Sequence, residues 1–322
     1  MPRSTRRPAP ARALAAPLLI ALLTAGLTAC GDDTGGDDGV DGAGLESLTV
    51  EGEVGSSPEV TFDGQVSVSK TETETLVEGE GEEVEKGDQV LTHLWIGNGF
   101  SQREALDTYK DKKPELLTVD DSVSKVFQTA MEGQTIGSRV LVAAPGEEAF
   151  GEAGNPALGI ANKDTVVFVI DLVSDVLDAP EGTDKDAPDW TPAIVEEDDL
   201  PSGFDFEGTP EPADRLRIAP LVQGDGAQVE KGQTIVVDYL GQVFAGKAPF
   251  DSSFSRGEPT SFQIGVGAVV KGWDKSLVGR AVGSRVLLSI PPDLGYGDKG
   301  NKQAGIKGTD TLYFVVDILA AG

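Results

Sequence analysis

The chain has 322 residues, with 54 Asp and Glu against 26 Lys and Arg and a formal net charge of -28. That length allows about two ordinary domains of roughly 100–200 residues each, and that charge excludes a nucleic-acid partner, whose phosphates call for clustered cations. A single Cys and a single His leave no ligand set for a Cys2His2 metal site, no internal disulfide and no Cys/His nucleophile pair drawn from separate domains.

Arg3, Arg6, Arg7 and Arg12 come first, and no acid precedes Gly31. An apolar run follows over residues 13–27. It is shorter than the ~20 residues that span a membrane, so residues 1–29 read as an export signal. Its end, Leu27-Thr28-Ala29-Cys30, resembles the bacterial lipobox. That resemblance implies lipidation of Cys30 and an extracytoplasmic protein anchored to the cell membrane, because two or more acyl chains hold a protein there stably. An ordinary signal peptide cut near Ala29 is the alternative. The Arg6-Arg7 pair leaves Sec and twin-arginine export both open, since Pro8-Ala9-Pro10 fits the second poorly.

Residues 30–45 are an acidic Gly/Asp tether, too polar and too self-repelling to pack. The spacing from Asp32 and Asp33 does not meet the alternation of a calcium loop. The acidity is read as solubility and repulsion at an anionic surface.

An internal repeat organises the rest. Leu76-Val77-Glu78-Gly79-Glu80-Gly81 returns as Leu221-Val222-Gln223-Gly224-Asp225-Gly226, and Gly137-Ser138-Arg139-Val140-Leu141 as Gly283-Ser284-Arg285-Val286-Leu287. A period this long means two copies of one domain rather than a solenoid. They occupy residues 46–175 and 191–322, with a Pro/Asp/Gly-rich linker over 176–190. Phe62-Asp63-Gly64 and Phe206-Glu207-Gly208 suggest an additional extended segment ahead of each core.

Within the second copy, residues 234–240, 285–290 and 311–319 are dense in Val, Ile, Leu, Tyr and Phe and read as strands. Val270, Trp273 and Leu277, at three- and four-residue steps, predict a short helix over 268–277 closed by Gly279. The fold class is α+β, two tandem domains in which an antiparallel sheet wraps one short helix.

The motifs Val237-Asp238-Tyr239-Leu240-Gly241, Phe250-Asp251-Ser252-Ser253, Val269-Val270-Lys271-Gly272-Trp273, Ile290-Pro291-Pro292-Asp293-Leu294-Gly295-Tyr296-Gly297 and Thr311-Leu312-Tyr313-Phe314 follow in order. Together they make residues 216–319 resemble an FKBP-type peptidyl-prolyl isomerase. The resemblance implies a proline pocket lined by Tyr239, Phe250, Val269, Val270, Trp273, Tyr296 and Phe314, with Trp273 as floor. It further implies that Asp251 sits beside the substrate carbonyl, held by Tyr239 and Arg256, and that Ile306 is a flap residue which with Tyr296 contacts the peptide. Thr260 and Ala268 depart from the family's usual aromatic and acidic residues, which bears on macrolide affinity more than on catalysis. No cofactor or metal is implied.

The chemistry suits the composition, because turning an Xaa-Pro bond makes and breaks nothing. It lowers a rotational barrier of about 18–20 kcal/mol that comes from amide resonance.

In the first copy, alignment on the repeat turns Tyr239 into Leu94, Phe250 into Leu106, Trp273 into Phe127 and Tyr296 into Phe150, while Asp107 and Phe168 keep the types of Asp251 and Phe314. This copy reads as a degenerate site, a spacer or client-binding module. Phe262 and Tyr313 read as core, and His93 as structural.

The expected function is isomerisation during folding of Pro-containing exported polypeptides, with activity mainly in the C-terminal domain. A non-catalytic chaperone is the alternative. A solute-binding lipoprotein would need alternating helices and strands that the repeat lacks.

Overall fold

The computed structural model describes residues 43–322. The export signal, Cys30 and most of the tether lie outside the described residues. Of the tether, Ala43 bridges Val66 and Leu45 opens a 3-10 turn, Leu45–Ser47.

The first domain begins with a hairpin, β1 (Leu48–Glu51) and β2 (Glu59–Phe62), whose alternating side chains give it one apolar face. The domain's main strands are β3 (Glu72–Val77), β4 (Gln89–Asn98), β5 (Arg103–Asp107), β6 (Glu115–Thr118), β7 (Arg139–Pro145) and β8 (Thr165–Asp175). They form an antiparallel sheet in the order β3-β7-β8-β4-β5, with β6 also on β4. Helix α1 (Lys125–Met131) buries Val126, Ala130 and Met131, and a shorter α2 (Gly146–Phe150) ends on Phe150. This domain therefore has one short helix more than the sequence pattern predicts.

The connection enters the second domain through β9 (Gly182–Asp184) and a second hairpin, β10 (Ala193–Glu197) and β11 (Leu200–Asp205). Strands β12 (Arg217–Gly224), β13 (Thr234–Val243), β14 (Asp251–Ser252), β15 (Thr260–Gln263), β16 (Arg285–Ile290) and β17 (Leu312–Ala321) follow, with helix α3 (Lys271–Leu277) between β15 and β16. The sheet order is β14-β13-β17-β16-β12-β9, with β15 also on β13.

Segment 176–190 is thus no free linker. Its β9 pairs with β12, because Gly182 brings the two backbones close enough to extend the sheet by one strand. At the domain junction Leu177 N–H donates to Leu319 O at 3.1 Å, and Leu91, Val236 and Ala320 share one small apolar cluster.

Each sheet is buried on both faces, so β4, β8, β13 and β17 read as nearly unbroken apolar runs rather than alternating ones. The inner face packs on α1 or α3. The outer face is covered by a hairpin, with Leu48, Val50, Val60 and Phe62 against Trp95 and Leu141 in one domain. In the other domain Ile194, Phe204 and Phe206 cover Leu240, Leu287 and Tyr313. The extra extended segments are therefore a third layer.

Helix α3 starts three residues later than its periodicity predicts. Val270 is still extended, at φ -60° and ψ 142°, and Gly265 and Gly267 ahead of it have φ +80° and +87°. Asp274 in the helix accepts from both of those glycine N–H groups, at 2.7 and 2.8 Å, and so fixes the entry loop.

Candidate functional site: an aromatic pocket with a polar rim

Trp273 is 3% exposed at the centre of three edge-on rings: Tyr239 at 5.4 Å, Phe262 at 5.5 Å and Phe314 at 5.4 Å, with interplanar angles of 80–85°. Edge-to-face contacts of this kind add about 0.5–1.5 kcal/mol each beyond burial. Phe250 meets Phe314 at 5.6 Å and 84°.

Two glycines make the arrangement possible. A Cβ on Gly241 would lie 2.5 Å from the Phe314 ring and 2.7 Å from that of Phe250, and one on Gly272 would lie 2.6 Å from Ile290. Gly241 leaves room for two rings, and Gly272 lets α3 lie close on β16.

Val269, Val270 and Ile306 belong to the same apolar cluster. Ile306 is held by reciprocal backbone bonds with Asn301, at 2.8 and 2.9 Å.

The rim is polar. Tyr239 Oη donates to Asp251 Oδ2 at 2.6 Å, Arg256 Nη1 to Asp251 Oδ1 at 2.7 Å, and Arg256 Nη2 to Tyr239 Oη at 3.2 Å. The guanidinium also lies over the Tyr239 ring at 5.6 Å, and bonds the Thr260 hydroxyl at 3.3 Å. The side chains of Asp251 and Arg256 are each 45% exposed, so a bound peptide can reach them. Burial, followed by the bond to Asp251, pushes the Tyr239 phenol up to about 12, which keeps it a donor at any physiological pH. Beneath the rim, Ser253 Oγ accepts from Tyr239 N–H at 2.8 Å and donates to Asp238 at 2.6 Å, and burial raises the Asp238 carboxyl above its usual range.

The fold thus brings Tyr239, Phe250, Asp251, Arg256, Val269, Val270, Trp273, Ile306 and Phe314 to one place. Tyr296 is 38% exposed and directly precedes the 3-10 turn Gly297–Lys299. Phe262, read from sequence as core, forms one wall of the Trp273 cage. Its alternation on an edge strand resembles any packed residue, so sequence carries no separate signal for it. Tyr313 lies in the outer-face core.

In the first domain two assignments are corrected. Thr108 Oγ1 accepts from Leu94 N–H at 2.8 Å, as Ser253 Oγ does from Tyr239 N–H. Ile96 then pairs with Leu106 as Gly241 pairs with Asp251, and Trp95 with Asp107 as Leu240 with Ser252. Leu106, not Asp107, therefore stands where Asp251 stands, and Ala105 rather than Leu106 is the counterpart of Phe250.

Asp107 faces the outer layer, accepting from Ser57 Oγ at 2.7 Å and Tyr109 N–H at 2.9 Å. Leu94, Phe127, Phe150, Ile160 and Phe168 belong to the first domain's inner apolar cluster, and leucines stand at the positions of Tyr239 and Asp251. His93 is buried, bonded to Thr108 Oγ1 at 2.9 Å and stacked on Tyr109 at 4.4 Å, and burial lowers its pKa.

A curled sheet around a short helix, carrying an aromatic cage with a polar rim, is a site suited to a conformational reaction. The family model for FKBP-type peptidyl-prolyl cis-trans isomerase matches residues 80–173 and again 226–319, more than half of the chain. The chain belongs to that family, with two tandem domains, and its enzyme class is peptidyl-prolyl cis-trans isomerase.

It is 44% identical over 116 residues to an FK506-binding protein of Streptomyces anulatus, covering 36% of this chain and 93% of that one. It is 46% identical over 93 residues to peptidyl-prolyl cis-trans isomerase FKBP15-2 of Arabidopsis thaliana, covering 29% of this chain and 56% of the relative. The crystal structure of AtFKBP13 is similar at 37% identity and a TM-score of 0.31, covering 33% of this chain and 93% of that one.

Proposed function

We propose that the second domain carries most of the isomerase activity, that its clients are Pro-containing exported polypeptides, and that lipidated Cys30 anchors the enzyme to the extracytoplasmic face of a bacterial membrane. The observation that carries the first part is the Tyr239–Asp251–Arg256 rim above Trp273, whose first two members are leucines in the first domain.

The apolar cage disfavours the charge-separated resonance form that keeps an amide planar, and so lowers the cost of twisting it. The rim orients the peptide: Arg256 and Tyr239 fix the Asp251 carboxylate beside the cage, and Tyr239 stays protonated. Contacts that fit the twisted bond better than either planar isomer then lower the barrier by differential binding. The uncatalysed step takes tens to hundreds of seconds, slow enough to limit folding.

The first domain, with leucines at the Tyr239 and Asp251 positions, serves as a spacer or holds client segments. Its partly buried Phe127 and Phe150 also support the second reading, of a chaperone that binds Pro-containing segments.

The test uses the full chain. Trp273→Ala should abolish most isomerisation of an Xaa-Pro peptide, and Phe127→Ala should leave it largely intact. Equal losses would overturn the assignment to the second domain. For the anchor, Cys30→Ser should move the protein from the membrane to the soluble fraction. Retention in the membrane would overturn the lipid anchor.

A further inference from the structure

The β10–β11 hairpin lies outside both segments that the family model matches, and its tip shares a cleft with Phe250, Asp251 and Arg256 of the aromatic site. Glu197 pairs with Leu200 across a two-residue turn in which Asp198 and Asp199 have φ +53° and +64°. This is the left-handed pair that a tight hairpin with native twist requires. The hairpin's base is fixed, because Phe204 N–H donates to Gln242 Oε1 at 2.9 Å and the Phe204 ring packs on Tyr313 at 6.4 Å.

Its tip faces the segment from β14 into the turn Phe254–Arg256, and the two enclose a cleft of about 630 Å3. Glu197, Asp198 and Leu200 line one wall, and Phe250, Asp251 and Arg256 the other. That size is in the range of binding clefts, roughly 300–1,000 Å3.

We propose that this cleft holds the stretch of substrate polypeptide adjoining the proline, and that Glu197 and Asp198 make it select basic residues there. The proposal rests on the reading that the second domain is the active one. Continuity carries it: three residues of the cleft wall are residues of the proline site itself. A chain that places its proline over Trp273 and passes the Asp251–Arg256 rim enters the space beside the hairpin.

The wall chemistry fits a peptide. Leu200 is 49% exposed and offers apolar contact opposite Phe250. The cleft's one cation, Arg256, is already engaged by Asp251 and Tyr239. Glu197 and Asp198 are in no ion pair among the described residues, so the open charge of the cleft is negative.

The experiment measures kcat/KM of the full chain on two peptides with the same Leu-Pro centre, flanked on both sides by Lys in one and by Glu in the other. Wild type should prefer the Lys peptide by about three- to tenfold at low salt, the size expected of two exposed charge pairs, and the preference should shrink as salt rises.

Glu197→Gln with Asp198→Asn should bring the ratio near one. Both changes keep side-chain shape, and Asn tolerates a left-handed backbone. The double variant removes two of the chain's 54 acids, so a preference due to the overall field would survive it.

A ratio near one in wild type, or one unchanged in the double variant, overturns the cleft while leaving the second-domain reading intact. Full activity in Trp273→Ala overturns that reading and the cleft with it.

Discussion

Tyr239 donates its phenolic proton to Asp251 across 2.6 Å, although the two residues lie on different strands and twelve positions apart. Arg256 closes the triangle from a 3-10 turn, so one substitution disturbs three groups. Tyr239→Phe should lower isomerase activity by about tenfold, the loss of a hydrogen bond of about 1.5 kcal/mol to a charged partner in the bound state. A coupled isomerisation assay at pH 7 checks it.

The same phenol gives a pH signature. Its pKa in the folded chain is raised from the ordinary 10.0 to about 12, by burial first and the Asp251 bond second. Its contribution to stability is complete below pH 10 and is lost as pH rises towards 12. Urea unfolding of wild type and Tyr239→Phe should therefore differ by a constant amount from pH 7 to 9 and converge above pH 10.

Trp273→Phe, which puts in the second domain the residue type of Phe127 in the first, should fold but catalyse poorly. The indole Nε1 is buried with no hydrogen-bond partner. Losing it removes an unsatisfied donor and offsets part of the lost packing. A stability loss below about 2 kcal/mol, with a rate loss of tenfold or more, is expected from chemical denaturation and peptide kinetics. Wild-type rates in this variant would remove the indole from the mechanism.

Asp107→Ala should destabilise the first domain by about 1–3 kcal/mol, because Ser57 Oγ and the Tyr109 N–H lose their acceptor. Isomerisation should not change. A drop in rate with stability preserved would instead restore Asp107 to a site.

The Arg139–Asp171 pair ties the first domain's outer hairpin to its sheet. Arg139 bonds both Asp171 oxygens at 2.7 and 2.8 Å and the Gly52, Glu53 and Ser56 carbonyls at 2.7–3.0 Å, and Gly55 N–H donates to Asp171 at 2.6 Å. Both side chains are 1% exposed or less. Asp171→Asn should cost about 3–5 kcal/mol by leaving a buried charge unpaired and should speed hydrogen exchange over residues 52–57. The matching Asp317→Asn in the second domain should cost less, since Arg285 is 21% exposed there.

The aromatic residues and Gly-rich turns of the second site were legible because each sits in a short contiguous motif. Strand-to-strand register was not. Leu106-Asp107 imitates Phe250-Asp251 by residue type, yet the hydrogen bonds of Thr108 and Ser253 put the pairs one residue out of step. A one-residue slip on a strand moves a side chain to the other face, and this one places the acid of the first domain on the outer layer. The start of α3 was equally hidden, since the bonds from Gly265 and Gly267 to Asp274 come from outside the helical period.

The sequence alone determined the duplication, the α+β class and the aromatic character of the second site, because repeats, hydrophobic spacing and motif residues are properties of short stretches. Only the tertiary structure decided which residue of the first domain stands opposite Asp251, how the hairpins cover the outer faces, and that the β10–β11 tip shares a cleft with Phe250, Asp251 and Arg256. Those relations join residues far apart in the chain, and they depend on pairing register and packing, which no local pattern encodes.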